Sequence, residues 1–146
     1  MSAAAPDPSH YDGHDLEALA DLPRYTGWIL DGFSPWLSGR VLEVGAGTGN
    51  VSARYLDRVS EALLVEPAEN LHRTLAERLG GRPQVQTFCG VLDDLPACAP
   101  FDAAVMVNVL EHIDDDVGTL RQLRTRVRPG GAVLLFVPAL PALYGT

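Results

Sequence analysis

Short apolar runs and amphipathic stretches alternate along most of this chain. From His14 to Leu37 the apolar positions recur at helical intervals: Leu16, Leu19 and Leu22, then Tyr25, Trp28, Ile29 and Phe33. Pro23 and Pro35 punctuate the stretch and predict a short helix followed by a longer one. Past Gly39 the rhythm changes. Residues 41–44, 62–65, 85–88, 103–107 and 133–137 are apolar runs of strand length. Between them, helices are predicted over 51–59, over 68–79 (closed by Gly80-Gly81) and over 116–127, where Leu120, Leu123 and Val127 share a face. Pro129-Gly130-Gly131 turns the chain into the fifth run. Nearly continuous apolar strands alternating with helices predict an α/β domain: a doubly wound parallel sheet of five strands with helices on both faces.

Composition fits this picture and narrows the function. The chain has 146 residues, 47% hydrophobic and 21% charged, the profile of one globular domain. Residues 1–13 read as a flexible arm, and 14–146 as the domain, with N-terminal helices over 14–37 and an α/β core over 40–146. A formal net charge of −8 argues against nucleic acid or anionic lipid held by bulk electrostatics. No apolar run approaches the length of a membrane span, and residues 1–8 lack the basic and apolar regions of a secretory signal. Cys89 and Cys98 fit no zinc or Cys-x-x-Cys spacing, which points to free thiols in a cytoplasmic protein.

The chemistry begins at Val41-Leu42-Glu43-Val44-Gly45-Ala46-Gly47-Thr48-Gly49-Asn50, a glycine-rich turn directly after the first strand. Ligands of such folds bind beyond the carboxyl ends of the strands, and glycine lets backbone approach them without a Cβ. The second strand ends in Glu66-Pro67, where an acid can accept hydrogen bonds from two ribose hydroxyls. Nicotinamide dehydrogenases and methyltransferases both place an acid here, and three features separate them. Asn50 stands where a dinucleotide fingerprint wants its third glycine. Glu43 puts a negative charge before the loop, which repels a pyrophosphate but attracts a cationic amine. No second domain is in view to hold a hydride acceptor.

This segment resembles motif I of the class I S-adenosylmethionine-dependent methyltransferases, whose core is Rossmann-like, and the similarity runs from about Tyr25 to the end. The resemblance implies that Glu43, Gly45, Ala46, Gly47, Thr48 and Gly49 cradle the methionine part of S-adenosyl-L-methionine. Glu66-Pro67 would hold the ribose. Cys89-Gly90-Val91-Leu92-Asp93-Asp94-Leu95-Pro96 resembles the family's adenine segment, with Val91 where a carboxylate often stands. Backbone at Val91 and Leu92 would read the adenine edge, or Asp93 would substitute. Asn108 and Leu110 would line the pocket, and Tyr25, on the helix that folds over the cofactor in this family, would close it. The implied activity is in-line methyl transfer to a small-molecule acceptor. Rival readings are a non-catalytic cofactor-binding module acting with a partner and, more remotely, a nicotinamide-dependent oxidoreductase.

Asn108-Val109-Leu110-Glu111-His112, just past the fourth strand, leaves three readings open. Glu111 and His112 could be structural, His112 could be a general base, or the group could bind a divalent ion. Asn108 replaces the first acid of the metal-binding arrangement that some relatives carry, and no metal ligand is assigned. Asp114-Asp115-Asp116 reads as a helix start, where acids satisfy free N–H groups. The family's sheet carries two more strands than the five found here. The resemblance therefore implies an incomplete sheet, with 133–137 an unpaired apolar edge that invites self-association and weakens turnover.

Overall fold

A computed structural model of the chain describes residues 23–137. The flexible arm over 1–13 and the short helix expected before Pro23 lie outside the described residues, as does the chain after Val137. Three α-helices, α1 (Pro23–Phe33), α2 (Glu69–Leu79) and α3 (Asp116–Arg126), accompany five strands: β1 (Arg40–Val44), β2 (Glu61–Glu66), β3 (Val85–Cys89), β4 (Phe101–Val107) and β5 (Val127–Phe136). The strands form one sheet in the order β3-β2-β1-β4-β5, and every pairing is parallel. This is the doubly wound architecture expected from the alternation of apolar runs and helices.

Each strand's alternating side chains feed a different layer. Val41, Leu64, Ala103, Val105 and Leu134 pack with Leu30 of α1 and with Leu75 and Leu79 of α2 on one face. Leu42, Val44, Val65, Ala104 and Met106 pack with Leu123 of α3 on the other. The amino ends of three strands are tied by Asp102, which accepts from the Arg40 N–H at 2.7 Å and from Arg128 Nε at 2.5 Å.

Two segments depart from their sequence reading. The helix expected over 51–59 is instead two 3₁₀ turns, Ser52–Arg54 and Leu56–Arg58. Their hydrogen bonds run three residues back, as from the Tyr55 N–H to the Ser52 carbonyl. The buried positions Ser52, Tyr55, Leu56 and Val59 keep α-helical spacing, but Val, Ser and Tyr bring little helix propensity to hold the segment in that form. The helix expected to run through Val127 ends at Arg126, because Val127 already pairs with Phe101 in β5. The next aligned pair is Ala103 with Ala132, so the Pro129-Gly130-Gly131 turn is an excursion within β5 rather than a lead into it.

Candidate functional site

The strand order reverses between β1 and β4, and a cavity opens at their carboxyl ends. Glu43 of β1, the turn from Gly45 to Thr48, and Asn50 and Val51 form one wall. Val107 and Asn108 at the end of β4 form another, and α1 covers the top with Tyr25, Thr26 and Ile29. Gly45, Gly47 and Gly49 all have positive φ (74°, 56° and 85°), so the turn needs glycine at each alternate position. Their surroundings differ. A Cβ on Gly45 would meet Val109, and one on Gly49 would meet Leu79 at 2.5 Å; Gly45 and Gly47 line the cavity and Gly49 does not.

Two carboxylates flank this turn, and both are buried. Glu66, at the end of β2, accepts from the Gly47 N–H at 2.8 Å through Oε2 and from the Ala68 N–H at 2.9 Å through Oε1. It therefore fixes the glycine turn and starts α2 in one residue, while each oxygen keeps a further acceptor site. Glu43 accepts two hydroxyls on a single oxygen, Oε2: Ser52 Oγ at 2.6 Å and Tyr55 OH at 2.7 Å. Burial pushes the Glu43 carboxyl up to about 7, against the pull of the two hydroxyls, and the nearby Glu66 adds to the rise. Burial also raises Glu66, opposed by the N–H groups of Ala68 and Gly47 and by His72. Burial and the Glu43 carboxylate hold the Tyr55 phenol well above its ordinary value, so it serves as a donor.

The remaining expected residues fall around this centre. The Gly90 N–H donates to the Glu66 carbonyl at 3.1 Å, which seats Val91, Leu92 and Asp93 at the end of β3, beside the end of β2. Val91 is exposed and Leu92 buried, and Asp93 Oδ1 accepts from Gln122 Nε2 of α3. Asn108 takes a left-handed backbone (φ 55°), and its Oδ1 is buried without a hydrogen-bond partner. Leu110 packs against the α3 side of the sheet. Gly49, Glu66, Pro67, Val91, Leu92, Asp93, Leu110 and His112 do not line the cavity between β1 and β4. His112 ends a 3₁₀ turn (Leu110–His112), with its side chain 78% exposed and Nε2 4.0 Å from Glu111 Oε1. Among the described residues, no three His, Cys, Asp or Glu side chains gather to hold a metal ion. Cys89 and Cys98 are exposed free thiols, and no described helix is long and apolar enough to cross a membrane.

Thr26, Ile29, Val51, Val107, Ser52 and Tyr55 were not legible as site residues. Ser52 and Tyr55 carry a signal in hindsight: two hydroxyls three apart, following a buried acid through a glycine turn. Set in strand order, the pieces form a line across the strand ends: Val91–Asp93 at β3, Glu66 at β2, the glycine turn at β1 and Asn108 at β4.

Known proteins share both sequence and shape with this chain. An uncharacterized methyltransferase of Mycobacterium tuberculosis is 28% identical over 109 residues, which are 75% of this chain and 44% of that protein. The chain thus spans less than half the length of this relative. The S-adenosylmethionine-bound structure of CalS10, an amino pentose methyltransferase from Micromonospora echinaspora, superposes with a TM-score of 0.74 at 16% identity, covering 94% of this chain and 61% of that one. The glycopeptide N-methyltransferase MtfA, complexed with S-adenosylmethionine, gives 0.65 at 23% identity over 75% of this chain and 48% of that one. Likeness at this identity establishes the shared Rossmann-like fold. The family described as methyltransferase domain matches residues 42–133, from the middle of β1 into β5. The chain belongs to the methyltransferase domain family.

Proposed function

We propose that this chain binds S-adenosyl-L-methionine along the carboxyl ends of β3, β2, β1 and β4 and transfers its methyl group to a small-molecule acceptor. The observation that carries this reading is the pair of buried carboxylates, Glu43 and Glu66, on either side of a glycine turn whose middle residue lines the cavity. Two acidic side chains there, acceptors when ionised, suit a ligand with hydroxyls at one point and a cationic amine at another better than a pyrophosphate. Gly45 to Gly49 take the amino-acid end, Glu66 accepts from the ribose hydroxyls, and Val91, Leu92 and Asp93 meet the adenine. Tyr25 closes the cavity from α1, with Asn108 opposite. When bound, S-adenosylmethionine would supply a sulfonium-activated methyl whose carbon an acceptor attacks in line, with S-adenosylhomocysteine as the leaving group. The protein's part is to hold the two reactants together, an effect that can supply up to about 7–11 kcal/mol. His112, exposed on the turn just past β4 and outside the cavity lining, is the candidate general base in this reading.

The acidic balance of the chain supports a small acceptor over nucleic acid. CalS10 and MtfA, by description an amino pentose and a glycopeptide N-methyltransferase, support the same class. The exposed free thiols support a cytoplasmic location, and self-association would run through β5, the last strand of the described sheet. The test is incubation of the purified chain with methyl-labelled S-adenosylmethionine and a cell extract that retains both metabolites and nucleic acid. Label in small organic products supports the reading. Label in nucleic acid overturns the acceptor class, and binding of the cofactor with no transfer to any fraction supports the non-catalytic module instead.

A further inference from the structure

Tyr55 and Ser52 reach Glu43 from a segment that contributes nothing else to the cavity wall beyond Val51. Both hydroxyls converge on Oε2, at 2.7 and 2.6 Å, although a carboxylate with two oxygens offers room for one donor on each. Oε1 is thereby the oxygen without a hydroxyl donor, on a residue that lines the cavity. Tyr55 is 0% and Ser52 0% exposed, so these are fully buried polar groups spent on one atom. A merely structural acid could be an apolar residue here at less cost in desolvation.

We propose that Ser52 and Tyr55 are positioning residues that hold the Glu43 carboxyl for the ammonium group of the cofactor, so that binding expels the carboxyl proton to solvent. This rests on the cofactor reading above. One bond changes: the O–H of the Glu43 carboxyl breaks, its electron pair stays on the carboxylate, and the proton passes to buffer. The titratable and charged neighbours support one partner only. From β2, Glu66 faces Glu43 and opposes its ionisation. From the 3₁₀ segment, Tyr55 and Ser52 favour it. Among the described residues, β4 lines the cavity with Val107 and Asn108, and α1 with Tyr25, Thr26 and Ile29, none of them charged. His72, on α2, acts on Glu66. No protein cation among these groups meets Glu43, so the empty site favours the neutral carboxyl and a bound ammonium reverses that preference. A carboxyl near 7 in the empty protein supplies the proton at physiological pH.

Calorimetry with S-adenosylhomocysteine, in buffers of different ionisation enthalpy, reads the proton count directly. At pH 7 the wild type should release about half a proton per ligand through Glu43, and affinity should rise about tenfold between pH 6 and pH 8. The ligand's own α-amine titrates alike in every variant, and Glu43→Gln subtracts it. 5′-Methylthioadenosine, which lacks the amino-acid end, should release none. Tyr55→Phe and Ser52→Ala each remove a donor from the ionised form, so the pH at which affinity levels off should move upward. A merely structural role would weaken binding and leave that pH unmoved, and so would overturn the proposal. Binding of S-adenosylhomocysteine with no proton release overturns the proposal alone. Absence of binding at every pH overturns the cofactor reading and the proposal with it.

Discussion

Each oxygen of Glu66 already accepts a backbone N–H, from Gly47 and from Ala68, before any ligand arrives. Glu66→Gln turns one of those acceptors into an amide donor and removes the charge. It should weaken S-adenosylhomocysteine binding by about 1.5–3 kcal/mol by calorimetry, and it should also lower the melting temperature. An acid that served the ribose alone would leave the melting temperature unchanged. The three glycines separate in the same way. Gly49→Ala combines a left-handed φ with a clash against Leu79 and Leu75, and should cost about 2–3 kcal/mol of stability in urea titrations. Gly47→Ala, at the cavity wall, should abolish cofactor binding with a smaller stability loss. The sequence presents these glycines as one motif. Which of them faces ligand and which faces α2 depends on long-range packing, and no local pattern encodes that.

Elements were legible where periodicity and end signals agreed. Helix α3 begins where three acids announce it: Asp115 caps it by accepting from the Gly118 N–H at 2.9 Å. Asp115→Ala should therefore cost about 1 kcal/mol in chemical denaturation, whereas substitution of the uncapping neighbour Asp114 should cost little. The segment after the glycine turn was not legible, because residues 51–59 carry apolar spacing that suits an α-helix and a 3₁₀ turn alike. The tie from Ser52 and Tyr55 to Glu43 goes with the tighter form, and it brings in two site residues that the helical reading hid. The turn at Leu110–His112 carries a test of its own. As general base, His112→Ala should lower turnover about a hundredfold with cofactor affinity unchanged. A purely structural imidazole would lower stability and leave turnover per folded molecule near normal.

Across the whole molecule, the buried Glu43 makes stability depend on pH. Its folded-state value lies above the ordinary carboxylate range, so its contribution is complete below about pH 4.3 and is lost as pH rises through about 7. Relative to Glu43→Gln, the empty wild type should therefore lose up to about 1.4 kcal/mol per pH unit across that window. Identical slopes for the two proteins would show that Glu43 does not titrate as described. Strand β5 closes the described sheet with Val133 exposed, and self-association along it should appear in sedimentation as a concentration-dependent mass that Val133→Lys reduces. The sheet order was implied by the alternation of strands and helices, but the excursion in β5 was not, since the Pro-Gly-Gly turn reads the same inside a strand as before one.

In the proposed function the turn between Glu43 and Glu66 holds S-adenosylmethionine. Thermal unfolding of the purified chain with S-adenosylmethionine, S-adenosylhomocysteine or NAD tests it most directly. Both sulfur ligands should stabilise the protein, by about 2.7 kcal/mol at a hundredfold excess over Kd, and NAD should not. Stabilisation by NAD alone, or by none of the three, would contradict the account.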